Sequence, residues 1–174
     1  MPQLIKNGAV VDDGWTLVRE IASIADLPAT KAIVPLAFWC EAQAQLRGRV
    51  DIGVWLAPAD DPALLANDTA ALPLIAVDFP KFADGRGYSI GRLLRERFSY
   101  KGELRAVGDI ARDQLYFLYQ VGFDAFLLRD GKDAQDALRS LHDFSDGYQL
   151  TNRRTPWFRR SGIEVPAAAG VTPS

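Results

Sequence analysis

Cysteine, histidine and any surplus of positive charge are what this chain of 174 residues is short of. Its single cysteine, Cys40, excludes an intrachain disulfide, a Cys-X-X-Cys redox pair and a thiolate cage for zinc or an iron–sulfur cluster. No serine stands in a nucleophile-elbow pattern, and the one histidine, His142, falls near the end of a late helix, where a surface role is expected. Lys and Arg number 20 against 22 Asp and Glu, so the net charge of −2 argues against nucleic acid as a partner. Apolar runs stay below the roughly 18 residues of a membrane span. The N-terminus lacks the basic-then-apolar layout of a signal peptide, so a soluble cytoplasmic protein without membrane association is the expectation.

What is present is apolar material. A hydrophobic content of 48% with four Trp suffices for a core, and the length suits one α/β domain over residues 1–150. Residues 151–174 differ, with four Arg around aromatics and then an Ala, Pro and Gly finish that is expected to be disordered from Pro166. Positive charge collects in this arm and in residues 78–113, which hold eight basic and six acidic residues.

The pattern predicts a β-hairpin from Leu4–Val11 and Trp15–Arg19, turning at Asp12-Asp13-Gly14. A helix over Leu36–Leu46 follows Val34-Pro35, where Pro suits the first turn. Strands are then predicted at Val50–Leu56, Leu74–Phe79, Leu104–Val107 and Ala125–Leu128, each followed by a helical pattern. The connections are too long for hairpins, so the strands form a parallel sheet of four or more members built from β-α units. Two architectures remain open, a partial β/α barrel and a doubly wound sheet.

In both, ligands bind outside the carboxyl ends of the strands. Asp78, Asp109 and Asp130 end three successive strands. Together they would hold a magnesium ion or divide into acid and base; as separate residues, Asp109 and Asp130 read as helix N-caps. Asp78 and Lys81, flanking Phe79-Pro80, are the candidates for proton transfer. The loop Asp84-Gly-Arg-Gly-Tyr-Ser-Ile-Gly91 offers backbone amides and a helix start, which with Gly85, Arg86, Gly87, Ser89 and Arg92 suits an oxyanion. The glycine spacing also resembles a nicotinamide-dinucleotide fingerprint, but these glycines do not directly follow the strand. Arg95 and Arg97 read as a solvated helix face, and Asp109, Arg112 and Asp113 as supporting residues at the same mouth. Cys40 reads as a small buried thiol. Arg153, Arg154, Trp157, Phe158, Arg159 and Arg160 form a basic, aromatic arm suited to docking on an acidic partner protein.

The run Asp-Phe-Pro-Lys-Phe-Ala-Asp-Gly-Arg-Gly-Tyr-Ser, then Leu-Leu-Arg-Glu-Arg, Gly-Glu-Leu-Arg-Ala-Val-Gly-Asp, Arg-Asp-Gln-Leu and Gly-Phe-Asp-Ala-Phe, resembles the bacterial domain of unknown function family 934 (DUF934). Val34-Pro35-Leu36 and Val54-Trp55-Leu56 fit the same family. The resemblance implies a part in assimilatory sulfite reduction, as an oxidoreductase component or an accessory protein with a sulfite reductase subunit as partner. It brings no assigned residues. Six-electron reduction through siroheme and an iron–sulfur cluster is beyond a chain with one cysteine, so an accessory role that binds a sulfur oxyanion or a nucleotide is the expectation. The alternative is a stand-alone α/β enzyme acting on a phosphate- or sulfonate-bearing molecule.

Overall fold

The computed structural model describes residues 3–81, 84–129 and 131–149. Asp130 and the arm from 151 onward, with all six expected docking residues, lie outside them.

The N-terminal hairpin pairs β1 (Gln3–Lys6) with β2 (Ala9–Asp12). Its turn is Asn7-Gly8, with φ of 51° and 77°, and not the expected Asp12-Asp13-Gly14. Both turn residues need positive φ for the strand twist to match, and Asn-Gly meets that need at least cost. The expected strand Leu4–Val11 is therefore two strands. Trp15–Leu17 forms β3, which joins the far edge of the sheet instead of the hairpin.

A strand not read from the sequence, β4 (Lys31–Pro35), precedes the predicted helix, α1 (Leu36–Leu46). Next come β5 (Ile52–Leu56), a 3₁₀ turn at Pro62–Leu65, β6 (Leu74–Phe79), α2 (Arg86–Glu96), β7 (Glu103–Gly108), α3 (Leu115–Val121), β8 (Ala125–Leu128) and α4 (Ala134–Gln149). Among the described residues, no helix is long and apolar enough to cross a membrane.

The eight strands form one sheet in the order β2-β1-β8-β7-β6-β5-β4-β3. Strands β3 to β8 are parallel and adjacent in chain order, while β1 runs antiparallel to β8. The order never reverses, so the sheet is singly wound, as in a β/α barrel, and the doubly wound alternative is excluded. Right-handed crossovers then put the helices on one face. Alternation along β6 shows the two faces: Ile75, Val77 and Phe79 enter the large core beneath the helices, whereas Leu74 and Ala76 pack with Ile33, Val107, Trp15, Leu17, Trp55 and Leu127 on the other.

The edge strands β2 and β3 are consecutive in the chain, separated by Asp13 and Gly14. Laid flat, eight strands would hold their edges about 34 Å apart. Three Cα–Cα steps from Asp12 to Trp15 span at most about 11 Å. The sheet must therefore curl, with the helix-free face concave.

Beneath the helices, Gly87 and Gly91 set how closely α2 sits on the sheet. A Cβ at Gly87 would lie 2.5 Å from the Phe79 ring, and one at Gly91 would lie 2.4 Å from the Phe123 ring. Those two rings meet edge-on at 5.9 Å between centroids. Burying an aromatic of this size contributes about 1.5–3 kcal/mol, which the small helix face makes available.

Two expected placements are overturned. Arg95 is buried, donating to the carbonyls of Gly122 (2.9 Å), Tyr100 (2.7 Å) and Gly102 (2.9 Å) and pairing with Asp124 at 3.1 Å. The turns after α2 and at the end of α3 leave carbonyls that a long guanidinium can satisfy and a shorter side chain cannot. Cys40 is exposed on α1, because Trp39 and Ala42 take the inward positions of that helix.

Candidate functional site

The carboxyl ends of β6, β7 and β8 are aligned: Phe79 pairs with Gly108, and Gly108 with Leu128. The next residues, Pro80, Asp109 and Arg129, therefore form a row along the mouth of the curled sheet, with Lys81 one step further. Neighbouring strands lie about 4.8 Å apart, so the two ends of this row are about 10 Å apart.

Asp78, the last concave-face residue of β6, is buried and holds Arg19, which follows β3. The Arg19 guanidinium donates to Asp78 Oδ1 at 3.0 Å and stands 2.9 Å from Oδ2. Its carbon lies 5.1 Å from the centre of the Trp55 ring, within cation–π range. Trp55 is itself fixed, its Nε1 donating to the Val18 carbonyl at 2.9 Å. The guanidinium is thus held on two sides, yet 48% of the Arg19 side chain remains exposed, against 11% for Asp78.

Gly108 makes this arrangement possible. At φ +108°, a Cβ there would lie 2.5 Å from the Phe79 carbonyl oxygen and 3.0 Å from Asp78 Oδ1. Asp109 N then donates to that Phe79 carbonyl at 2.7 Å. Asp109 is no helix cap: the following 3₁₀ turn starts from Ala111, whose amide is taken by Gln114 Oε1, and the Asp109 carboxylate faces Lys132 Nζ at 3.2 Å. The cap of α4 is Asp133, whose Oδ1 accepts from the amides of Gln135 and Asp136 at 2.8 and 3.3 Å. Arg112 pairs with Asp136 at 2.8 Å, and Asp113 is exposed.

The glycine loop carries its own anion. Asp84 accepts from the Arg86 amide at 3.1 Å and from its guanidinium at 3.0 and 2.7 Å. These bonds, the side-chain ones foremost, pull the Asp84 carboxyl down to about 2. Arg92 is similarly tied to Glu96, both oxygens at 3.0 Å. Gly85 and Ser89 are exposed, whereas Gly87 is buried against Phe79. Tyr88 stacks edge-on to Phe79 at 5.6 Å, and its phenol is pushed up by burial, opposed by a hydrogen bond with Gln114.

Lys81 and Arg129 are exposed, and neither makes a salt bridge among the described residues. Among those residues, no group of three or more His, Cys, Asp or Glu side chains is placed to hold a metal ion. Asp78 and Asp109 are engaged by different cations.

A second charged set lies deeper on the concave face. Arg105 is fully buried and binds both oxygens of Asp13, at 2.9 and 2.8 Å, while its Nε and Nη2 reach Glu103 Oε1 at 2.8 and 2.7 Å. Lys6 completes the chain to Glu103 at 2.6 Å. Sequence reasoning missed Arg19, Trp55, Arg105 and Arg129. Only Arg105 had a visible signal: a charge at an inward position of an apolar strand requires a buried partner.

No curated protein matches this chain. Residues 53–158, spanning β5 to beyond α4 and including Asp78, the glycine loop and Arg105, match the model of a bacterial protein family of unknown function, DUF934. With well over half its length matched, the chain belongs to that family.

Proposed function

We propose that this protein binds a small oxyanion at the carboxyl-end mouth of its sheet and serves assimilatory sulfite reduction as an accessory protein. The observation that carries the binding site is Arg19. Its guanidinium is oriented in advance by Asp78 and Trp55 while nearly half of its side chain stays at the surface. A fixed guanidinium with unused N–H groups takes a tetrahedral or pyramidal oxyanion with little ordering cost. Lys81 and Arg129 add positive charge along the rim.

This reading moves the anion from the glycine loop to the strand ends, since Asp84 already occupies Arg86 and the first amide of α2. It also favours binding over proton transfer by Asp78 and Lys81, because both oxygens of Asp78 face the Arg19 guanidinium. The part in sulfite reduction rests on the family resemblance.

Thermal stabilisation by sulfite, sulfate and phosphate tests the site. Stabilisation that Arg19→Gln abolishes and Arg86→Ala retains is expected; no shift with any of the three anions overturns it. Affinity purification at low salt tests the pathway. Recovery of a sulfite reductase subunit is expected, and its absence together with unchanged growth of a deletion strain on sulfate overturns the accessory role.

A further inference from the structure

The concave face of β5 to β8 carries three charged side chains, Asp78, Glu103 and Arg105. Each finds a countercharge on residues before the family-matched region: Arg19, Lys6 and Asp13. Two of these, Asp13 and Arg19, bracket one short stretch of chain. Its first two residues, Asp13 and Gly14, cross from one edge of the sheet to the other, and it continues as β3 along the far edge, where its regular structure is weak. β3 has three residues, is paired on one side only, to β4, and none of its residues is fully buried. Gly14 is exposed, with nothing within 4 Å of where a Cβ would stand. Short, one-sided, partly exposed pairing is the kind that opens locally without global unfolding.

We infer that residues 13–19 are a strap across the concave face, fastened by Asp13 on Arg105 and by Arg19 on Asp78, and that an oxyanion bound at Arg19 holds it closed. The ligand half rests on the proposed oxyanion site. With the strap open, Arg19 leaves Asp78 and Trp55 and loses its fixed orientation, so only the closed state binds well. Apparent affinity then scales with the closed fraction. Among the described residues, Asp13 bonds Arg105 and the Trp15 amide and neither Arg19 nor Asp78, so a change there acts on the anion only through the strap.

Hydrogen exchange of the full chain, read for residues 13–19 against residues 74–79 of β6 with and without sodium sulfite, tests this. Expected are faster exchange at 13–19 than at 74–79, slowing by sulfite, and a further several-fold acceleration in Asp13→Asn with a several-fold weaker sulfite affinity. Arg105→Lys provides a second opening variant, with circular dichroism confirming that each variant is folded. Protection of 13–19 equal to that of β6, or exchange unmoved by both variants, overturns the strap. If the wild-type chain binds no sulfite, sulfate or phosphate, the oxyanion site and the ligand half fall together. The strap itself is then decided by the exchange difference between wild type and Asp13→Asn.

Discussion

Arg105, in the middle of β7 and fully buried, holds both carboxylate oxygens of Asp13, one of only two residues linking the opposite edges of the sheet. A buried ion pair is weak evidence for net stability, but breaking one from a single side is costly because a charge is left without its partner. Arg105→Ala should therefore destabilise the fold by about 3–5 kcal/mol. The double variant Arg105→Met with Asp13→Ala should cost clearly less than the sum of its single changes. Urea denaturation of the wild type, the three single variants and the double variant measures both effects, and strict additivity of Arg105→Met and Asp13→Ala would show that the pair is not coupled.

Helix α2 should tolerate no side chain at Gly91. A methyl group would lie 2.4 Å from the buried Phe123 ring, and overpacking of this kind costs about 1–3 kcal/mol. Gly85→Ala, with nothing within 4 Å, should be close to neutral. Adding Phe123→Leu to Gly91→Ala should recover part of the loss, as read by thermal unfolding.

Tyr100 should not ionise while the protein is folded. It is buried, its hydroxyl lies 3.1 Å from the Leu72 carbonyl, and burial drives its phenol far above the ordinary range. A raised folded-state pKa means that the contribution is fully present below the unfolded value of about 10 and is lost as pH rises beyond it. In an alkaline titration followed by phenolate absorbance, one tyrosine should appear only together with unfolding, and Tyr100→Phe should remove that step.

Asp84 should titrate near 2, held there chiefly by the Arg86 side chain. Being depressed, it favours the folded state above the ordinary Asp value of about 3.9, and this is lost as pH falls toward 2. Carboxyl NMR of the wild type and Arg86→Ala should show the midpoint return to the ordinary range. A low midpoint that persists in the variant would assign the effect to the backbone.

Cys40 should be labelled in the native protein, since it is exposed, but slowly. Partial desolvation, followed by Asp68 and Asp60, raises its thiol and disfavours the reactive thiolate. Asp68→Asn should quicken labelling at neutral pH. A rate equal to that of the fully denatured chain would contradict the electrostatic effect.

Much of the fold was legible because local pattern and tertiary demand agree. Leu74–Phe79 and Ala125–Leu128 are strands over the predicted residues, being apolar runs covered on both faces. The α1 helix starts after Pro35 as its proline implies. Pattern was less help at the N-terminus, where Asn7-Gly8 competes with Asp13-Gly14 as a turn signal and only strand pairing shows which makes the hairpin. β4 was hidden because its apolar residues run directly into those of α1. At the proposed site, the place of Asp78 near the end of β6 was readable, but its partner Arg19 lies 59 residues earlier and meets it only across a curled sheet.

The sequence by itself determined the α/β class and the parallel direction of the central strands, and it pointed to the end of the sheet where the proposed site lies. These follow from periodicity, connection length and chirality, which act over a few residues or a single strand-helix unit. Only the tertiary structure decided the singly wound order and the curl, and which charges meet on the concave face. Those depend on pairing between distant segments: Asp13 and Arg19 acquire their roles when two residues of chain must join opposite edges of an eight-stranded sheet.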